Sequence, residues 1–198
     1  WKATELYANF SQNYRGITFT DMRVIRTSQI VDPNLKDENG FNVDLGYRGE
    51  VAGWFSFDVS GYWLQYNNRI GQLQVVDSAY NIFRYTTNVG TTRSMGAELY
   101  AEADFFEAAH VSNRAGNLLL YVSGGYTNAV YVKSPYSKVV GNYLEFAPTL
   151  TLRSGLTYRY KKISTTVQGA YTTKQFTDAT NAEFTPTAVN GTIPAYFV

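Results

Sequence analysis

The chain has 198 residues and a formal net charge of +1, so nothing in its charge favours nucleic acid or acidic substrates as partners. It has no cysteine, which excludes disulfides, thiolate metal sites and cysteine nucleophiles. No window holds 18 apolar residues, so a transmembrane helix is excluded, while transmembrane strands are not.

Seven segments alternate apolar and polar residues with a period of two and are predicted as strands: 3–13, 41–49, 54–66, 94–106, 117–128, 149–160 and 162–174. The apolar positions of the first four are Leu6, Ala8, Phe10; Phe41, Val43, Leu45, Tyr47; Phe55, Phe57, Val59, Gly61, Trp63; and Ala97, Leu99, Ala101, Ala103, Phe105. Those of the last three are Leu118, Leu120, Val122, Gly124, Tyr126; Leu150, Leu152, Ser154, Leu156, Tyr158, Tyr160; and Ile163, Thr165, Val167, Gly169, Tyr171. None is charged. The intervening positions include Glu5, Asp44, Arg48, Asp58, Glu98, Glu102, Asp104, Arg153 and Arg159. Successive strand residues point to opposite faces, so each strand has one apolar and one charged face.

Predicted connections alternate in length. Long loops span 14–40, 67–93, 129–148 and 175–192; short turns lie at 49–53 and 161–162, and a moderate turn at 107–116. An antiparallel meander with all its long loops at one end is the arrangement of transmembrane β-barrels, which have long extracellular loops and short periplasmic turns. Sorted by depth, the apolar face has aromatics at both borders. Tyr47, Phe55, Phe105, Tyr158 and Tyr160 lie near the short turns; Phe10, Phe41, Trp63, Tyr126 and Tyr171 lie near the long loops. Mostly aliphatic residues lie between, as expected of two interfacial girdles around a lipid-facing band. The charged positions Asp44, Arg48, Asp58, Glu98, Glu102, Asp104, Arg153 and Arg159 are then expected to face the lumen. The C-terminal residues from Ile193 read as the opening of an eighth strand, and with no signal peptide ahead of Trp1 both ends read as cut from a longer chain.

No catalytic constellation stands out. His110 is the only histidine and lies in a predicted periplasmic turn, where a solvent-exposed residue is the simpler reading than a metal ligand or base. Carboxylates two apart on one strand face are roughly 7 Å apart, a spacing that suits inverting glycoside hydrolysis; for Glu102 and Asp104 the lumen reading is preferred. Asp178–Glu183 lacks the glycine and ligand spacing of a calcium loop, and 37–40 reads as turn chemistry. No metal, cofactor or enzymatic role is expected. Arg15, Arg23, Arg26, Arg69, Arg84 and Arg93 lie in or beside the long loops and are the candidates for an anionic ligand, or for lipopolysaccharide phosphates.

Five segments carry a family likeness: Leu6-Tyr-Ala-Asn-Phe-Ser-Gln-Asn-Tyr-Arg15, Asn42-Val-Asp-Leu-Gly-Tyr-Arg48, the run from Phe57 to Ile70, Asn88-Val-Gly-Thr-Thr-Arg-Ser-Met-Gly-Ala-Glu98, and the run from Ala147 to Tyr158. In this order they resemble barrel strands of TonB-dependent outer-membrane receptors, of ferric dicitrate or siderophore type, along nearly the whole chain. The resemblance implies an all-β antiparallel meander, residues 1–198, forming about seven strands plus the start of an eighth in a transmembrane 22-stranded β-barrel. It also implies a place in the outer membrane of a Gram-negative bacterium. Implied partners are the lipid bilayer, lipopolysaccharide, a ferric siderophore or other scarce nutrient, and the TonB complex through a plug region absent from this stretch; nucleic acid is not among them. The closing C-terminal strand of the family is absent too. A passive porin or other non-transporting barrel, such as an adhesin, fits the faces and girdles equally well but not the motifs. A soluble all-β binding or enzymatic domain is the remaining alternative.

Overall fold

The computed structural model describes residues 3–112, 115–183 and 191–198. All seven predicted strands are present: β1 (Ala3–Arg15), β3 (Glu38–Val51), β4 (Phe55–Val76), β5 (Ile82–Asp104), β6 (Asn117–Lys133), β7 (Leu150–Tyr160) and β8 (Ile163–Thr172). They form one antiparallel sheet in chain order, with a short β2 (Gln29–Val31) lying parallel along the upper part of β5. After the two-residue strands β9 (Gln175–Phe176) and β10 (Thr192–Ile193), which pair with each other, β11 (Tyr196–Phe197) pairs with β8 and opens the expected eighth strand. The sheet is an unclosed barrel wall.

Register keeps the two faces separate across every strand. One rung runs Leu6–Tyr47–Val59–Leu99–Gly124–Leu152–Tyr171 and carries no charge. The rung one residue away runs Glu5–Arg48–Asp58–Tyr100–Ser123–Arg153–Ala170. A slip of one residue at any strand would mix them, so the apolar pattern specifies the register. The apolar rung climbs from the fourth residue of β1 to the ninth of β8. Strands in a barrel are tilted and staggered, so a single rung joins Tyr47, assigned to the short-turn girdle, with Tyr171 of the long-loop girdle. The stacked pairs Phe10–Phe41, Phe55–Phe57 and Tyr158–Tyr160 lie on this face, with ring centroids 6.3, 5.9 and 6.5 Å apart.

Three expectations are corrected. Segment 67–93 is no loop: β4 and β5 continue as a hairpin arm joined only by residues 77–81. A bulge between Tyr66 and Ile70 hides this, with Asn68 at φ 53° and Gly90 at φ 154°. Adjacent Asn67 and Asn68 read as a turn, yet the register resumes above them. Second, Phe105 is not a strand residue. The Asp104 carboxylate accepts from the backbone N–H of Phe106 (3.0 Å) and Glu107 (3.2 Å), which caps a one-turn helix, α2 (Phe105–Ala108), and ends β5. Third, segment 129–148 begins as strand, because β6 runs on to Lys133, and the rest folds back with Tyr143 bridged to Val130.

The buried core lies above the apolar band. Leu73, Val89, Tyr131, Val139 and Ala179 pack together, with Tyr136 and Leu144 against them, where segments 134–149 and 177–183 cover one face of the hairpin arm.

Candidate functional site

Two regions carry concentrated polar chemistry: the charged face of the sheet and the long-loop end. On the charged face, Arg48 donates to Glu5 (2.9 and 2.7 Å) and lies 5.5 Å from the centre of the Tyr7 ring. Asp44 accepts from Asn9 (3.1 Å) and from Asn42, and Glu102 from Tyr100 (3.0 Å). Asp104, nearly buried, also accepts from Asn117 (2.7 Å). Among the described residues, Glu98, Arg153 and Arg159 share this face without ion pairs. The eight predicted lumen charges therefore share one face, with Arg48 and Asp58 cross-strand neighbours, but no ion pair joins any two of them.

Tyrosines knit this face together. Tyr7 lies over Gly46 on the next strand and donates to Asp58 (2.8 Å) on the strand after that. Tyr62 repeats the arrangement over Gly96 to reach Thr127 (2.6 Å), and Tyr121 over Gly155 to reach Gln168 (3.4 Å). A Cβ at Gly46 would stand 2.2 Å from the Tyr7 ring, so only glycine admits it. Each tyrosine thereby spans three strands and covers backbone that a glycine leaves bare.

At the long-loop end, Glu38 is fully buried and accepts from three donors: Arg15 (2.9 Å), Arg69 (3.0 Å) and the backbone N–H of Ile70 (2.9 Å). Arg15 also donates to Asp21 (2.7 and 2.9 Å), which caps the short helix α1 (Phe19–Met22) from within by accepting from Thr18. Burial acts to raise the Asp21 pKa, but the bonds from Thr18 and Arg15 outweigh it and hold the carboxyl below the usual range. Beside this network a cleft of about 530 Å³ is lined by Arg69, Gly71, Gln72, Thr86, Glu145 and Phe146. Glu145 accepts from the buried Tyr131 hydroxyl (2.8 Å), and burial pushes its carboxyl pKa up. A Cβ at Gly71 would lie 2.8 Å from the Glu145 carboxylate, so glycine makes room for it.

The six candidate arginines separate. Arg15 and Arg69 meet on Glu38, so their charge is answered within the chain. Arg84 stands beside β2, its N–H bonded to the carbonyl of Ser28 (2.8 Å). Arg23 and Arg26 are exposed between α1 and β2. Arg93 lies on the apolar face, in line with Met95 and Ala97. His110 is exposed in the turn after α2. Glu38, Asp21, Tyr131 and Glu145 were not singled out by sequence; Glu38 is part of the 37–40 turn signal, and Glu145 has no local pattern at all.

An antiparallel, staggered sheet with an apolar outer face that is uncharged below Arg93, a charged inner face and long excursions at one end is a segment of transmembrane barrel wall. The chain belongs to the TonB-dependent receptor family: the family model described as TonB dependent receptor-like, beta-barrel, matches residues 1–198. No curated protein matches it. Among solved structures, the copper transporter OprC is similar with a TM-score of 0.70 at 19% identity, over 98% of this chain and 28% of that one. The ferric citrate transporter FecA, in its unliganded form, gives a TM-score of 0.70 at 19% identity, over 100% of this chain and 27% of that one. A mutant of the ferric enterobactin receptor PfeA from Pseudomonas aeruginosa, in complex with enterobactin, gives 0.65 at 16% identity, over 100% of this chain and 30% of that one. The chain thus spans less than a third of the length of these structures, and at these identities the likeness concerns the fold.

Proposed function

We propose that this chain is a stretch of barrel wall from a TonB-dependent transporter in the outer membrane of a Gram-negative bacterium. In this reading the parent protein binds a ferric siderophore or a similar scarce metal chelate at the long-loop end and imports it by energy-coupled transport. The TonB complex acts through a plug region elsewhere in the parent. The observation that carries the membrane placement is the uncharged rung from Leu6 to Tyr171, continuous over seven strands while the adjacent rung carries four charged side chains among its seven residues. Its residues are exposed, Leu6 at 72% and Leu99 at 44%, as a lipid-facing surface would be. The metal cargo is supported by the family and by the copper, ferric citrate and ferric enterobactin proteins that share the fold. The wall acts by shape and charge and has no reaction of its own.

The test is uptake of radioactive iron, supplied as ferric enterobactin or ferric dicitrate, by cells whose only receptor is the full-length parent. Accumulation that collapses when TonB is deleted is the expected result. Passive ion conductance by the purified protein, with no uptake that depends on TonB, would sink the proposal in favour of a porin.

A further inference from the structure

We propose that residues 145–148 form a lid on the cleft of the long-loop end, held shut by the protonated Glu145 carboxyl and released when that carboxyl ionises. Glu145 sits in the cleft beside Gly71, where it accepts from the Tyr131 hydroxyl (2.8 Å). It is served far less well than Glu38. Two guanidinium groups and a backbone N–H answer Glu38, whereas Glu145 receives one hydroxyl and its own N–H. A carboxylate taken from water keeps its charge only against strong donors. Burial outweighs the two bonds here, so Glu145 keeps its proton above the pH at which an ordinary glutamate loses it. The groups that face it are Arg69 from β4, Tyr131 from β6 and Asp178 from the segment 177–183. Thr86 and Val89, beside it from β5, are uncharged. Arg69 is already bonded to Glu38 (3.0 Å), and Asp21 at the cleft wall to Arg15 (2.7 Å). With Glu145 neutral, Arg15 and Arg69 stand against the carboxylates of Asp21, Glu38 and Asp178; ionisation adds a fourth.

The backbone around this carboxyl is strained and lightly tethered. Its two ends are fixed: the Leu144 N–H is bonded to the carbonyl of Ala129 (2.9 Å), and the Thr149 carbonyl to the N–H of Thr127 (2.9 Å). Between them, residues 145–148 have one backbone bond to another segment among the described residues, from the Phe146 N–H to the carbonyl of Phe176 (2.8 Å). Phe146 has φ 57°, the left-handed region that is an outlier for a bulky side chain, yet its ring is 60% exposed. Packing of the ring therefore does not hold it there. The seated side chain of Glu145, one residue earlier, does. Once Glu145 is charged and leaves the cleft, Phe146 is free to return to an extended backbone. The segment then moves off the mouth that Glu145, Phe146 and Ala147 line. The cleft opens as pH rises, whichever cargo the parent protein carries.

The full-length receptor in lipid vesicles is given a reporter cysteine at Gln72, inside the cleft, or at Ser78, on the exposed tip of the hairpin arm. The maleimide labelling rate of Gln72→Cys is divided by that of Ser78→Cys, which cancels the titration of the thiol itself. From mildly acidic to neutral pH this ratio is expected to rise about fivefold as Glu145 ionises. In Glu145→Gln, which still accepts from Tyr131 and cannot ionise, it should stay at its low acidic value throughout. Phe146→Asn suits the left-handed backbone better and should shift the rise to higher pH. Heat-modifiable gel mobility confirms that each variant is a folded barrel. A ratio that does not rise in the wild type, a rise that persists in Glu145→Gln, or a high ratio at every pH in that variant would overturn the lid.

Discussion

Across the middle of the sheet no large side chain is buried on either face: Leu45 is 56% exposed and Val167 73%, and on the opposite face Gly46 and Gly155 are covered by the Tyr7 and Tyr121 rings. At the long-loop end, by contrast, Val89, Val139 and Ala179 are at 0–1% exposure and Glu38 is completely enclosed. The first region is held by ladder hydrogen bonds, cross-strand pairs and whatever solvent covers its apolar face. The second has a small core and a buried ionic hub of its own. It follows that the belt depends on lipid for its stability while the long-loop end keeps its shape by internal packing. Without the bilayer, the exposed apolar face and the unpaired edge of β1 should drive the isolated 198-residue chain to aggregate in plain buffer.

That contrast breaks most sharply at a single position in the belt. Leu99 lies on the uncharged rung between Val59 and Gly124. Leu99→Arg in the full-length receptor should destabilise the membrane-inserted state by roughly 2–4 kcal/mol, the cost of a cation at the midplane. Ser123→Arg, on the charged rung, should cost little. Urea titration of the protein folded into lipid vesicles compares the two, and equal effects would mean the faces are not lipid and lumen. At the other end, Glu38→Ala leaves Arg15, Arg69 and the Ile70 N–H without their acceptor. The expected loss is about 3 kcal/mol, at the low end for breaking a buried pair because both arginine side chains are partly exposed. It should appear as faster proteolysis within 16–37, with the heat-modifiable mobility of the barrel unchanged. A global loss of the barrel would show that the two regions are not independent.

The same division explains what could be read from sequence. In the belt the two solvents act residue by residue, so period-two alternation alone gave seven strands and the faces that the register joins. Above the belt, contacts distant in sequence decide. Asn67, Asn68 and Gly90 look like turn formers, yet they form a bulge inside a hairpin arm of which one face is covered by other segments. Thr86 and Thr87 are both buried although they point opposite ways, so no alternation marks them. Glu38 resembles any turn carboxylate until Arg15 and Arg69 arrive from β1 and β4. Asp104 fitted the strand pattern but caps a helix, a choice made by two local backbone N–H groups. Arg93 was grouped with the loop arginines because the extent of β5 was not visible, and with it the face on which it lies.

A smaller effect tests whether the charged face contributes packing of its own. Gly46→Ala places a Cβ within 2.2 Å of the Tyr7 ring and should lift it away from Asp58. Overpacking of this kind costs about 1–3 kcal/mol. Tyr7→Ala with Gly46→Ala together should recover part of that loss, since the clash disappears while the hydrogen bond stays lost. If the double variant is no better than Gly46→Ala alone, the ring is not what the glycine accommodates.

The least effect is expected from pH, and here two carboxylates of the long-loop end, Glu145 and Asp21, oppose each other. Burial raises the Glu145 pKa above its ordinary value of 4.5, so the folded state binds this proton more tightly than the unfolded chain. The contribution of Glu145 is therefore fully present below its unfolded pKa and is lost as pH rises through the raised folded value. Asp21 is depressed below 3.8, so its contribution is present above that value and lost as pH falls through the folded one. Between the two, the segment around Glu145 should become easier to cleave as pH is raised from mildly acidic toward neutral, while the strap held by Asp21 should not change. Glu145→Gln keeps an acceptor for the Tyr131 hydroxyl and cannot ionise, so it should abolish the pH dependence of cleavage within 134–149. Persistence of that dependence in the variant would place the titrating group elsewhere in the long-loop end.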